Sequence, residues 1–285
     1  ELLRRRSRHG NRMSRFAANV GFLYADRTID ERPAAARADG FEAIASAWPI
    51  VGPERFASMV RDAGVRVALL NMAAGDLAAG ERGYPNDPAR IVRWREDLDA
   101  ALQLAAAVDC PTINVLAGNR IGHVPEDAQW AFLEANLAWA LPLAQAAGRR
   151  LVVEVLNPRD TPDYLVTDLD VAAGLVEPHR PEGLGLQFDT YHVGVMGLDV
   201  VDAFRRRAHL VDHIQVADVP GRHEPGTGSI DWRGFFGVVL ASGYGGAIGL
   251  EYHPRGATSE GLAWLPPEAR RWNAAPFIFG NPPQP

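Results

Sequence analysis

The feature that most constrains this chain is a regular alternation between short apolar runs and longer amphipathic stretches. Apolar runs occur at 15–22 ("RFAANVGF"), 41–46 ("FEAIAS"), 65–71 ("VRVALLN"), 112–118 ("TINVLAG"), 150–156 ("RLVVEVL"), 184–189 ("LGLQFD"), 211–218 ("VDHIQVAD") and 246–253 ("GAIGLEYH"). Each has the length of a strand buried on both faces. Between them, 88–108 and 126–148 carry apolar residues at helical spacing. Segment 53–64 opens on Pro and closes on Gly, and 231–243 repeats that start-and-stop logic. Strands that alternate with helices pair in parallel through right-handed crossovers. Eight such units predict a closed (β/α)8 TIM barrel. An open doubly wound sheet is the rival, but the first strand leads into "VGFLYAD" rather than a glycine-rich phosphate turn.

The 285 residues suit one barrel, predicted here over 13–275. Residues 1–12 read as a flexible, basic N-terminal extension without the apolar core of a signal peptide, and 276–285 as a loose Pro-rich tail. The net charge of -6 makes duplex nucleic acid or an anionic membrane a poor partner, and no apolar stretch is long enough for a transmembrane helix. The single cysteine, Cys110, precludes an internal disulfide and fits a reducing, cytoplasmic setting. All 29 basic residues are arginine, which excludes lysine Schiff-base chemistry. A small-molecule ligand is the expected partner, and a homo-oligomer is compatible with such a barrel.

Four consecutive strands finish on oxygen-bearing side chains: Glu154, Asp189, Gln215 and Glu251. In a barrel of this class the site lies at the C-terminal strand ends. Three carboxylates crowded there repel one another unless a cation joins them, and no arginine occupies a neighbouring strand-end position. An all-oxygen set suits Mg2+ or Mn2+ better than structural zinc.

The segments "AAGDLAAGERG" (73–83), "FDTYH" (188–192), "HIQVADVPGRHEPGTG" (213–228) and "LEYHPRG" (250–256) resemble the hydroxypyruvate isomerase family, within the xylose-isomerase-like barrels. The likeness runs from about Phe16 to Trp264, and the intervals of 35, 26 and 36 residues between the four ligand candidates are also similar to the family's. The resemblance implies a divalent-metal-dependent aldose–ketose isomerase acting on a small sugar acid, with hydroxypyruvate and tartronate semialdehyde as the expected pair. It implies metal binding by Glu154, Asp189, Gln215 and Glu251, and proton transfer by Glu154 and Glu251. His192, Arg222, Glu81, Arg82 and Asn157 are the candidate substrate-binding residues, with Arg222 the first choice for the substrate carboxylate. The plainer reading of Arg222 pairs it with Glu224 on a solvated loop.

The chain departs from the family pattern at 43–52, where "AIASAWPIVG" replaces an acid and an "FPYD"-like segment, and at Val155, where a proline is usual. The metal set is intact while one pocket wall differs, which leaves 2-oxo-tetronate isomerase and ketose 3-epimerase as alternatives. An epimerase commonly has His where this chain has Gln215. A zinc endonuclease of the same fold needs more histidine ligands and a positive groove. A sugar-acid-binding sensor has no need of two opposed proton carriers.

Overall fold

The computed structural model describes residues 15–280. Eight parallel strands close into a barrel in sequence order. They are β1 (Phe16–Asn19), β2 (Ala43–Ser46), β3 (Arg66–Asn71), β4 (Thr112–Asn114), β5 (Arg150–Glu154), β6 (Leu184–Asp189), β7 (Val211–Val216) and β8 (Ala247–Leu250). Closure rests on the pairing of β1 with β8, in register from Phe16 opposite Ile248 to Ala18 opposite Leu250. The helices are α1 (Arg32–Ala38), α2 (Pro53–Ala63), α3 (Ile91–Ala107), α4 (Glu126–Ala146), α5 (Leu169–His179), α6 (Thr190–Val195), α7 (Val200–Arg207), α8 (Trp232–Ser242) and α9 (Thr258–Gly261). All eight expected strands form. Several stop early, because the apolar runs continue into loops: Val115 and Ala117 remain buried past the end of β4.

Local chemistry fixes the helix ends. Pro53 starts α2 and Gly64 ends it in the left-handed region at φ 63°. The Asp231 carboxylate accepts from Gly234 N–H at the start of α8, and Asp168 caps α5 in the same way.

Side chains alternate along the strands. Residues such as Ile44, Leu70, Leu151, Val153, Leu186, Phe188, Ile214 and Leu250 join the main core that includes the helices. The barrel floor is built differently. Ala17, Ala43, Ala68 and Ala247 leave room for Trp272, which packs against all four as a group. Ala45, Leu69 and Val152 form the next apolar cluster. Above them the strand ends turn polar.

The C-terminal segment expected to be loose is packed where the structure describes it. Phe277 and Phe279 meet Phe236 at centroid distances of 5.0 and 5.9 Å, and Phe279 is buried. Ring burial of that kind outweighs the expectation drawn from proline content. The extension at 1–12 and the last five residues lie outside the described residues. Among the described residues, no helix is long and apolar enough to cross a membrane.

Candidate active site

The C-terminal barrel end gathers Glu154, Asp189, Gln215 and Glu251 into one buried polar cluster. Glu154 and Asp189 are the last residues of β5 and β6, Gln215 is next to last in β7, and Glu251 follows β8 directly. The Asp189 carboxylate also accepts from Tyr191 N–H at 2.8 Å, so the start of α6 holds it in place. Glu154 Oε2 accepts from Asn114 Nδ2 at 2.9 Å, while its Oε1 has no hydrogen-bond partner among the described residues. Glu251 Oε2 accepts from Asn19 Nδ2 and from Gln215 Nε2. Gln215 is held from behind by Gln187, whose Nε2 donates to Gln215 Oε1 at 2.9 Å.

Arg222 reaches into this cluster from the loop after β7. One terminal nitrogen donates to both Asp189 Oδ2 (3.0 Å) and Glu251 Oε1 (2.8 Å). Its guanidinium lies between the rings of Phe22 and Tyr191, 4.7 and 4.8 Å from their centroids. The pairing with Glu224 does not form. Glu224 instead accepts from Arg255 N–H at 3.0 Å. The sequence reading found no arginine at a strand end beside the acids because Arg222 lies in the loop that follows β7 (Val211–Val216). The loop delivers it. Asp218, fully buried, accepts from the N–H groups of Gly226, Gly228 and Ile230 and from Trp232 Nε1, which folds the loop over the barrel mouth. Arg222 itself sits at φ 56° with its carbonyl accepting from His253 N–H at 2.7 Å.

Burial raises the proton affinity of all three acids. Their mutual repulsion adds to it for Glu154 and Glu251, and Arg222 opposes it in each case. Three carboxylates against one guanidinium leave two formal negative charges in a dry site. One divalent cation balances that charge, and the oxygen-rich donor set suits Mg2+ or Mn2+. Ligand atoms of Glu154, Asp189 and His192 lie within 4.8 Å of one another. His192 is nonetheless a poor ligand as placed. Its Nδ1 accepts from the backbone N–H of Asn157 at 3.0 Å, so the neutral ring carries its hydrogen on Nε2, 3.7 Å from Asp189 Oδ2. Burial, then Arg222 and Arg82, hold the ring neutral, well below the ordinary histidine range. His192 therefore offers a donor to the site.

The remaining candidates divide. Asn157 is buried and spends its backbone and side-chain amide groups on His192 and Asp160, so it positions His192. Glu81 turns back into its own loop, accepting from Asp76 N–H and pairing with Arg90. In this structure Glu81 is thus engaged within its own loop. Among the described residues, the Arg82 side chain donates only to the carbonyls of Leu77 and Glu81. Asn19 and Asn114 were missed by the sequence reading, as was Asn71 at the end of β3. All three obey the rule that found the acids, a polar residue at a strand end, but a search for charge passes over amides.

The xylose isomerase-like TIM barrel model matches residues 17–268. This chain belongs to that family. A 2-oxo-tetronate isomerase from Cupriavidus necator is 39% identical over 90% of this chain and 98% of its own length. A putative hydroxypyruvate isomerase from Homo sapiens is 36% identical over 88% of this chain and 94% of its own. Among solved structures, one described as an AP endonuclease of family 2 from Brucella melitensis superposes with a TM-score of 0.84. It is 33% identical and covers 89% of this chain and 98% of that one.

Proposed function

We propose that this isomerase interconverts a small 2-oxo acid and its aldehyde isomer, hydroxypyruvate and tartronate semialdehyde, through an enediol. The observation that carries the reading is the convergence of Glu154, Asp189 and Glu251 on one buried barrel end, with Arg222 neutralising only part of their charge. Support comes from relatives that are named isomerases of sugar acids. A second substrate, 2-oxo-tetronate, is favoured by the 39% identity to the Cupriavidus necator relative.

Glu154, Asp189, Gln215 and Glu251 would hold a divalent cation. When bound, such an ion supplies positive charge for the oxygen atoms that become negative as the enediol forms. As placed, Gln215 presents Nε2 to Glu251 and Oε1 to Gln187, so ligation through its oxygen would require the amide to turn over. The proton chemistry falls to the two glutamates, which come from β5 and from the end of β8 on different sides of the barrel. Glu154 Oε1, free of hydrogen bonds, is the oxygen open to take a proton from carbon. Glu251, held by Asn19, Gln215 and Arg222, is placed to exchange a proton at the adjacent carbon. His192 Nε2–H donates to a substrate oxygen. The rings of Phe22 and Tyr191 keep bulk water from the Arg222 side.

Gln215 in place of a third basic ligand and the net charge of -6 weigh against DNA cleavage. The test is proton NMR in D2O with Mg2+, run on hydroxypyruvate, 2-oxo-tetronate and small neutral ketoses. The expected result is deuterium entering one carbon together with appearance of the isomer. Absence of exchange in every substrate, with nicking of abasic-site DNA, would sink the reading.

A further inference from the structure

Arg222 is the arginine that sequence reasoning assigns to the substrate carboxylate, yet the terminal nitrogen shared by both of its two-pronged edges already donates to Asp189 and Glu251, which leaves its buried Nε able to give only a single bond. A substrate carboxylate held by two parallel hydrogen bonds needs another partner. We propose that Arg82, on the opposite wall of the barrel mouth, receives the substrate carboxylate and selects acids over neutral sugars. This rests on the isomerase reading above.

Three observations place Arg82 for that role. Its loop is seated against the end of β4. Gly118 N–H donates to Arg82 O at 3.0 Å, and Gly83 N–H to Ala74 O at 2.8 Å. Gly83 has φ 84°, and a Cβ there would stand 2.2 Å from Leu116 O, so the contact admits only glycine. Second, that seat is directly connected to the site. Ala117 N–H donates to Tyr164 Oη at 2.8 Å, and the Tyr164 hydroxyl donates to the carbonyl of Glu154. Arg82 thus stands on the Glu154 side of the mouth, whereas Arg222 enters on the Asp189 and Glu251 side. Its charge reaches the buried His192, after the larger effects of burial and Arg222.

Third, Arg82 is uncommitted. Among the described residues it forms no ion pair, and its Nε and second terminal nitrogen make no hydrogen bond. One terminal nitrogen alone holds it, through the Leu77 and Glu81 carbonyls. The neighbouring arginine of the same loop, Arg90, is paired with Glu81. Glu81 thereby braces the loop and leaves Arg82 half-buried, anchored by one nitrogen and with the rest of its fork free. A free Nε and terminal nitrogen form the edge that binds a carboxylate through two parallel hydrogen bonds. The charge count agrees. With one divalent cation the acids and Arg222 sum to zero, so the positive charge that an anionic substrate needs comes from outside that cluster.

The test uses R82Q, which keeps a donor for the two carbonyls, and R82K, which keeps the charge. Both are compared with wild type in Mg2+ for hydroxypyruvate kinetics and for calorimetric binding of D-glycerate, an acid that does not isomerise, with glycerol as the neutral control. For R82Q we expect kcat/KM to fall about 10- to 100-fold, mostly through KM, and glycerate binding to weaken by the same factor. R82K should recover part of the loss, and glycerol should bind equally to all three proteins. Glycerate binding does not depend on turnover, so failure of the isomerase reading leaves this test intact. Glycerate affinity unchanged in R82Q, or no glycerate binding by wild type, overturns the proposal.

Discussion

The backbone N–H of Asn157 donates to His192 Nδ1 at 3.0 Å, and this one bond decides what His192 can offer the site. A backbone amide cannot accept, so Nδ1 is the bare nitrogen and Nε2 carries the hydrogen. The 15N spectrum of the protein labelled at histidine should show this tautomer. His192→Phe should lower kcat/KM for the acid substrate by about 10- to 100-fold, the loss of one hydrogen bond to a charge-bearing oxygen. His192→Gln should restore part of it, since an amide can also donate. Equal loss in both variants would point to packing as the residue's role.

Glu154 and Glu251 differ in their hydrogen bonding, and their variants should differ accordingly. Glu154→Gln removes the oxygen that has no partner and should slow turnover by about 10²–10⁴-fold. Deuterium exchange into substrate should slow by the same factor. Glu251→Gln should be comparably slow, but it also breaks the bond from Arg222 and should lower the melting temperature more. Rate and thermal unfolding measured on both variants separate the two effects.

Charge balance predicts a metal effect on stability. The uncompensated charges among Glu154, Asp189, Glu251 and Arg222 favour an ion that binds only the folded barrel end. At about 100 times its Kd, such an ion adds about 2.7 kcal/mol. Mn2+ or Mg2+ should raise the melting temperature, and EDTA should reverse the rise without changing the far-UV circular dichroism. A melting curve that does not respond to either ion would remove the metal from the proposed function.

Much of this molecule was legible in its sequence, and the missing parts share a cause. Strand number, order and the gathering of Glu154, Asp189, Gln215 and Glu251 follow from local periodicity plus one rule about barrel ends. Those features need only the position of a residue within its own strand. The role of Arg222 depends on a loop folded by Asp218, and Glu81 is taken up by Asp76 and Arg90 while Arg82 beside it forms no ion pair among the described residues. Such contacts come from side chains meeting across the fold, and no periodicity encodes them. Trp272 on the barrel floor is a further instance. The four alanines beneath it read as small strand residues until a distant tryptophan is seen to fill the space they leave.

Cys110 gives a pH dependence of stability that can be isolated from the site. The thiol is fully buried at the entry to β4, with Sγ 3.2 Å from Thr112 O, and burial pushes it up to about 12. In the unfolded chain a cysteine titrates near about 8.5. Above that pH the unfolded state has lost the proton and the native state keeps it, so the unfolded state binds fewer protons and stability falls as pH rises. The contribution is intact below about 8.5 and should have dropped by about 2 kcal/mol at pH 10, at about 1.4 kcal/mol per pH unit. Buried tyrosines, including Tyr24, Tyr164 and Tyr252, are also raised by burial and act with the same sign, but an unfolded tyrosine titrates only near about 10. The window from pH 8.5 to 10 therefore belongs mainly to the thiol. Urea unfolding across that window should show wild-type stability falling more steeply than that of Cys110→Ala, with the curves converging in slope below pH 8. Iodoacetamide should leave the native thiol unmodified at pH 8 and label it once the chain unfolds. Parallel stability profiles for the two proteins between pH 8.5 and 10 would show that the native thiol ionises as readily as the unfolded one, against the burial seen in the fold.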